Sequence, residues 1–118
     1  MTRINTGQNG EAIARKYLEN NGYRILAANW RSKNAEIDLI AKKAKEIVFV
    51  EVRSKSTEDF GTPAESVTLH KQRKLINAAQ CYIVENQIDA EWRIDFIGIQ
   101  FIEETHRLEH IPYAVTLD

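Results

Sequence analysis

Apolar positions near the start of the chain follow the period of one helical face. They are Ile13, Ala14, Tyr17 and Leu18. This spacing predicts a helix over residues 10–20, with Thr6 as a suitable N-cap and with Asn21 and Gly22 at its end. A longer helix is predicted over residues 67–85. Its buried stripe comprises Leu75, Ile76, Ala79, Tyr82 and Ile83.

Between these helices the pattern changes to short runs rich in β-branched residues. Residues 46–52 form the strongest run, apolar on both faces as in a central strand, and residues 36–41 precede it across a charged turn. The two runs predict a hairpin. Further strands are predicted over residues 23–30, 92–101 and 108–115, with a loop over residues 54–63. The order α-β-β-β-α-β-β predicts the α/β class, with a mixed sheet flanked by helices.

The composition is that of one ordinary globular domain spanning residues 1–118. Hydrophobic residues make up 43% and charged residues 28%, which excludes a disordered chain. No apolar run approaches the ~20 residues that span a bilayer, and the first residues predict no secretory signal. Cys81 is the single cysteine, so an internal disulfide is excluded, and a small buried thiol is expected. These features favour a reducing, cytoplasmic setting.

Charge is distributed unevenly along the chain although the net charge is only −1. Residues 1–84 hold 14 Lys and Arg against 9 Asp and Glu, whereas residues 85–118 hold 2 against 8. The net charge argues against a protein that coats nucleic acid through bulk charge. The first 84 residues nevertheless allow a local basic face, with a solvated mixed surface as the alternative.

Two carboxylates stand among apolar neighbours on the predicted hairpin. Asp38 and Glu51 are each flanked by apolar residues, and Glu51 lies near the end of the most apolar strand. A carboxylate in such surroundings must be paired, hydrogen-bonded or bound to a cation, because a bare charge in a low dielectric is costly. Carboxylates on adjacent strands lie close together, and a divalent metal relieves their repulsion.

Cationic side chains follow Glu51 on the same strand face. Strand alternation places Arg53 and Lys55 beside it. Acids with a neighbouring cation suit phosphodiester hydrolysis: the acids hold Mg²⁺ or Mn²⁺, which lowers the pKa of an attacking water, and the cation stabilises charge on the phosphate. Glu11 either joins these acids from the first helix or forms a solvated pair with Arg15.

The order of Glu11, Asp38 and the Glu51-Val52-Arg53 run resembles the PD-(D/E)xK nuclease superfamily. Nearly the whole chain is similar to the YraN-type uncharacterised bacterial protein family, which is distantly similar to archaeal Holliday junction resolvases. The stretches that carry this resemblance are GQNGEA at 7–12, GYRIL at 22–26, NWR at 29–31, EIDLIA at 36–41, VFVEVR at 48–53 and RIDF at 93–96. The resemblance implies a restriction-endonuclease-like fold, an endonuclease acting on DNA that includes structured or branched DNA, and by analogy a homodimer.

The resemblance also implies a role for each matching residue. Asp38 and Glu51 are implied metal ligands, with the main-chain carbonyl of Val52, and Glu11 binds the metal directly or through water. Arg53 occupies a position that is usually lysine. Because arginine stays charged, it binds phosphate but takes no proton, so either the metal or Lys55 compensates or the activity is weakened.

Basic residues elsewhere, and one polar neighbour, Gln72, are suited to phosphate contacts. They are Lys71, Gln72, Arg73 and Lys74 at the start of the long helix, with Arg31 and Lys33 in the turn before Asp38. For Lys71 the alternative is a stem that covers apolar surface. Two rival functions remain at this point: a nucleic-acid-binding module of the same fold that lacks the chemistry, and a protein–protein adaptor.

Several remaining polar residues have structural interpretations. Glu65 and Ser66 are expected to cap the long helix. Arg93 and Asp95 share a strand face and predict an ion pair inside the sheet. His106 and His110 match no metal-binding pattern and are not assigned to a metal.

Overall fold

Within the described part of the chain, five strands form one mixed sheet with a helix on each face. The computed structural model describes residues 6–33, 35–56 and 67–115. The elements are α1 (Thr6–Asn20), β1 (Arg24–Arg31), β2 (Glu36–Lys43), β3 (Glu46–Lys55), α2 (Leu69–Glu85), β4 (Trp92–Ile102) and β5 (Thr105–Ile111). The predicted element order and the α/β class, with a mixed sheet flanked by helices, are confirmed.

The strands lie side by side in chain order. Strands β1, β2 and β3 form an antiparallel meander, which confirms the predicted hairpin. The chain then passes through α2, so β4 pairs with β3 in parallel, and β5 returns antiparallel along the edge. A parallel pair needs a long crossover, and α2 provides it. Strand β3 therefore occupies the centre, between the meander and the parallel pair.

The core consists of two clusters on opposite faces of the sheet. Ala14 and Leu18 of α1 pack over one face, on alternate residues of β2, β3 and β4. Leu75, Ala78 and Ala79 of α2 pack over the other face. Both helical stripes predicted from periodicity are therefore confirmed. Neither helix in the described ranges is long and apolar enough to cross a membrane.

Close approach of α1 to β3 depends on a glycine. A Cβ on Gly10 would overlap the Ser54 hydroxyl and lie 3.3 Å from the Ser54 Cβ. The missing side chain lets the first turns of α1 lie directly on the last residues of β3. Glu11 follows immediately, so this contact fixes where its carboxyl group enters the site.

Several predicted boundaries differ from the structure. The last strand runs over Thr105–Ile111 rather than 108–115, because Glu103 and Glu104 form the hairpin turn, with Glu103 at φ 52°. Strand β3 extends to Lys55, since it pairs with β4 along its whole length. The predicted loop over residues 54–63 otherwise lies outside the described residues, as do Glu65 and Ser66.

The cap of α2 is supplied by a different residue from those predicted. Thr68 has an extended backbone, and its Oγ1 accepts a hydrogen bond from the Lys71 N–H at 3.2 Å. The helix therefore begins at Leu69, two residues after the predicted start. The prediction of a buried Cys81 is wrong. Its thiol is exposed, because it lies outside the stripe that packs on the sheet.

A buried polar network crosses the α1 face of the sheet, away from Glu51. Asp95 is fully buried and accepts from Arg93 Nε at 2.9 Å, which confirms the predicted pair. Its other oxygen lies 2.7 Å from His110 Nε2, and His110 Nδ1 lies 2.9 Å from the Tyr17 hydroxyl. The network ties α1 to β4 and β5. Burial raises the pKa of Tyr17, so this phenol is not an activated nucleophile.

Candidate metal centre and nucleic-acid groove

The backbone ladder between β2 and β3 ends beside the two predicted carboxylates. Leu39 opposite Val50 is the last pair at this end. If the β2–β3 register is continued by one residue, Asp38 lies opposite Glu51. The Val52 N–H, which has no ladder partner on β2, donates to Asp38 Oδ2 at 2.8 Å. In a regular sheet these main-chain N–H and C=O groups would pair with the neighbouring strand. Because the ladder ends here, they are available to the side chains of the site.

Asp38 has the most perturbed carboxyl group of the site. Burial, followed by the hydrogen bond and charge of Glu51, raises the pKa of Asp38 to about 8. The Val52 N–H and the charge of Arg53 act in the opposite direction. At neutral pH the Asp38 carboxyl therefore keeps its proton unless another cation takes its place.

Glu51 is partly neutralised by the next residue on its own strand face. Arg53 Nη2 lies 3.3 Å from Glu51 Oε2, and the two side chains are 31% and 12% exposed. Arg53 Nε is buried and is the one such side-chain atom without a hydrogen-bond partner among the described residues. Lys55, two positions further on, is half-buried. Arg53 is thus anchored by one edge of its guanidinium, and another donor still lacks an acceptor.

Glu11 points to the site and not only toward solvent. Burial, then the charge of Asp38, raises the pKa of Glu11. With the Asn29 amide oriented to satisfy its neighbours, Nδ2 donates to Glu11 Oε1 at 3.3 Å and to Glu36 Oε1 at 3.2 Å. Asn29 reaches between these acids from a left-handed position on β1, at φ 52°. Of the two arrangements open from the sequence, the structure shows Glu11 beside Asp38.

The acids meet in pairs: Glu11 with Asp38, and Asp38 with Glu51. Within the described ranges, no group of three or more His, Cys, Asp or Glu side chains is placed to hold a metal ion on its own. Mg²⁺ in enzymes is typically bound by one or two carboxylates, several waters and a substrate phosphate. An oxygen-only pair beside an exposed groove fits that type of site and does not fit zinc.

A cationic groove of about 340 Å³ opens over Glu51 and Arg53. Its other lining residues are Ala35, Glu36, His70, Lys71, Lys74 and Leu75. The side chains of Glu51 and Arg53 point to the α2 side of the sheet, because they alternate with Val50 and Val52 on the α1 side. The structure therefore brings Lys71 and Lys74 to the same groove as the proposed catalytic residues.

A neighbouring groove of about 360 Å³ collects the predicted cations Lys33 and Arg73, with Lys74 lining both grooves. Two other predicted contacts are engaged elsewhere. Arg31 is exposed and pairs with Glu36 at 3.3 Å, and Gln72 donates to the Val67 carbonyl at 3.3 Å. His70 also lines both grooves and was not predicted from the sequence, because its place there depends on how α2 lies across the sheet.

A larger groove, of about 830 Å³, lies at the opposite end of the hairpin around Lys43, Ala44, Lys45 and Glu46. Its lining mixes two lysines with Glu46, Asp89 and Glu91. Opposite charges therefore neutralise one another there, and no carboxyl pair resembles that of Asp38 and Glu51. Size alone does not make this groove the functional site.

Residues 10–99 match the family described as uncharacterised protein family UPF0102. The chain belongs to this family. UPF0102 relatives match nearly end to end. A UPF0102 protein of Alkaliphilus oremlandii is 42% identical, with 92% of this chain and 95% of the relative covered. One from Clostridioides difficile is 42% identical, with 97% and 99% covered.

A third UPF0102 relative, from Geobacter metallireducens, is 41% identical, with 94% of this chain and 92% of the relative covered. Among solved structures, Pyrococcus furiosus SfsA in complex with Ca²⁺ matches with a TM-score of 0.42 and 15% identity. That alignment covers 95% of this chain but only 64% of SfsA. The family membership thus rests on the sequence relatives.

Proposed function

We propose that this UPF0102 protein is a metal-dependent endonuclease that hydrolyses phosphodiester bonds in DNA, including structured or branched DNA. The observation that carries the proposal is the pair of partly buried carboxyls, Asp38 and Glu51, at the end of the β2–β3 ladder. Glu51 of this pair lines a groove together with Arg53, Lys71 and Lys74. The carboxylates are suited to bind a metal ion, and the neighbouring arginine and lysines are suited to bind a phosphate. Together they form a site for a metal-bound phosphate.

Each residue has a part in this proposal. Asp38 and Glu51 would hold Mg²⁺ or Mn²⁺ together with the Val52 carbonyl, while Glu11 would act directly or through water. When bound, the metal supplies Lewis-acid activation of water and phosphate. Arg53 lines the groove, so its guanidinium meets a phosphate oxygen there, and it accepts no proton. Lys55 extends the same strand face toward the substrate.

Cleavage of purified substrates tests this proposal. With Mg²⁺ or Mn²⁺, the protein is expected to cut at least one of linear duplex, nicked, single-stranded and four-way DNA. Asp38→Ala is expected to reduce the rate by about a hundredfold or more, because the cation loses a ligand. Asp89→Ala is the matched control, since Asp89 is an exposed acid at the other end of the hairpin. Purified protein that cuts none of these substrates, or equal rates in both variants, contradicts the proposal.

The ion pair between Arg53 and Glu51 favours a second candidate, a DNA-binding module that has lost the chemistry. The pair uses one Glu51 oxygen that a metal would otherwise take. If this candidate holds, Arg53→Lys is expected to confer metal-dependent cleavage on an inert parent, because a shorter, single-donor cation competes less well for Glu51. The cleavage rates of the wild type and Arg53→Lys on the same four-way DNA substrate distinguish the two candidate functions. An inert parent and an equally inert variant count against this explanation.

A homodimer forms part of the proposal for branched DNA. A four-way junction has two-fold symmetry, so two copies of one site can each act on one strand. A single domain of this size presents only one Asp38–Glu51 pair. Paired incision of a junction would therefore require two chains.

A further inference from the structure

The groove over Glu51 and the groove beside it adjoin, and together they are called the cleft here. They share three lining residues, Ala35, His70 and Lys74. Beyond them the cleft passes Arg73 and then continues along α2 to Cys81, whose exposed thiol lines its far part. The cleft follows one side of the helix, opposite the turn between β1 and β2 that carries Lys33.

The charge along this cleft changes in one direction. The part over Glu51 contains both acids and cations, as a metal centre requires. Among the described residues, the charged lining of the second part consists of Lys33, Arg73 and Lys74, without an acid. Glu85 is the acid described next, in the groove that continues past Cys81. Within the described part of the chain, this cationic stretch therefore starts at the groove over Glu51 and ends near Cys81.

We propose that one strand of a nucleic acid leaves the Asp38–Glu51 centre along this cleft, over His70 and Lys74, and passes between Arg73 and Lys33 toward Cys81. This inference rests on the proposed function and adds the path of the strand. His70 contacts the backbone at the junction of the two grooves. The occupant is a phosphodiester backbone, because repeated cations without acids complement repeated phosphates.

The dimensions agree with a short stretch of backbone. From His70 to Cys81 the axis of α2 rises about 16 Å, at about 1.5 Å per residue. A strand of B-form DNA carries one phosphate per roughly 3.4 Å of duplex axis, and the spacing along the strand itself is longer, so a strand that follows the cleft places a few phosphates in it. Arg73, Lys74 and Lys33 are thus spaced to meet phosphates beyond the one at the metal. Such contacts fix the position of the strand and do not read its sequence.

Cys81 provides a direct probe, because it is the single cysteine and its thiol is exposed. The wild-type chain is incubated with a fluorescent 16-base-pair duplex or a four-way junction in Ca²⁺ at low salt. Alkylation of Cys81 by a polyethylene glycol maleimide is then followed on a gel. Saturating DNA is expected to slow alkylation about tenfold or more, and raised salt is expected to remove the protection.

Two controls isolate the path. In a Cys81→Ser background, Arg107→Cys places a thiol on β5, and DNA is expected to leave its alkylation rate unchanged. Arg73→Gln is expected to weaken binding about threefold to tenfold and to lower the salt slope by about 0.9, the value for one phosphate contact. Arg107→Gln, which also removes an exposed arginine, is expected to leave both quantities unchanged.

The outcomes separate this inference from the proposed function. Salt-dependent binding with protected Cys81 and a reduced slope in Arg73→Gln supports the path. Salt-dependent binding with unprotected Cys81, or with an unchanged slope, overturns the path and leaves the proposed nuclease function standing. Absence of DNA binding at low salt overturns both.

Discussion

Asp95→Ala is expected to destabilise the fold by about 3–5 kcal/mol, the usual cost of removing one partner from a buried ion pair. Asp95 is fully buried and accepts from Arg93, His110 and the Tyr113 N–H. Alanine leaves the Tyr113 N–H contact unmade and leaves Arg93, 12% exposed, with Glu46 at 2.7 Å as its remaining acidic partner. Urea unfolding of both proteins at pH 7 measures the difference.

Asp89→Ala is the control for this measurement, because Asp89 is an exposed acid on the same protein. It is expected to change the free energy of unfolding by less than about 0.5 kcal/mol. Adding Arg93→Met to Asp95→Ala is expected to recover part of the loss, since the largely buried Arg93 charge, which Glu46 alone would then balance, is removed. A loss below about 1 kcal/mol for Asp95→Ala, or a double variant less stable than the single one, would contradict this account.

Most of the fold was predictable because its elements follow simple periods. In α2 and in β3, the apolar side chains that the spacing predicts to be buried lie in the core. The error in β5 arose from apolar residues after Ile111, where Val115 is buried without belonging to a strand. Cys81 was misjudged because burial was inferred from residue type, whereas its position around the helix decides its exposure.

The candidate site was predictable only in part. A carboxylate among apolar strand residues is a strong local signal, and it identified Asp38 and Glu51. The contacts between elements left no such signal. Asn29 reaches Glu11 and Glu36 because of a left-handed backbone on β1. His70 lines the cleft because of how α2 lies across the sheet. Those features depend on three-dimensional placement and not on spacing along the chain.

Stability and proposed function depend on two different acids, the fully buried Asp95 and the partly buried Asp38. Asp95 pairs with Arg93, lies 2.7 Å from His110 Nε2 and accepts from a main-chain N–H, so its oxygens have partners within the fold. Asp38 has one main-chain donor and faces another carboxyl. A protein that keeps an acid in such surroundings is less stable than it needs to be, which is common where a ligand is to be bound.

Asp38→Asn is therefore expected to stabilise the metal-free protein at pH 8 by on the order of 3 kcal/mol. The asparagine oxygen still accepts from the Val52 N–H but carries no charge. In the wild type, the folded state holds the Asp38 proton up to about pH 8, whereas the unfolded chain releases it near its ordinary value of 3.8. This contribution to wild-type stability is complete below pH 3.8 and declines as the pH rises through about 8.

The difference between Asp38→Asn and wild type should consequently be near zero at pH 4, grow with pH and level off above pH 8. Urea unfolding in EDTA across this range measures it, and Asp89→Asn should follow the wild-type curve at every pH. Mg²⁺ at pH 8 should stabilise the wild type and not Asp38→Asn, because the cation takes the place of the proton. A variant less stable than wild type at pH 8, or a difference that does not change with pH, would show that the Asp38 carboxyl is already satisfied without a metal.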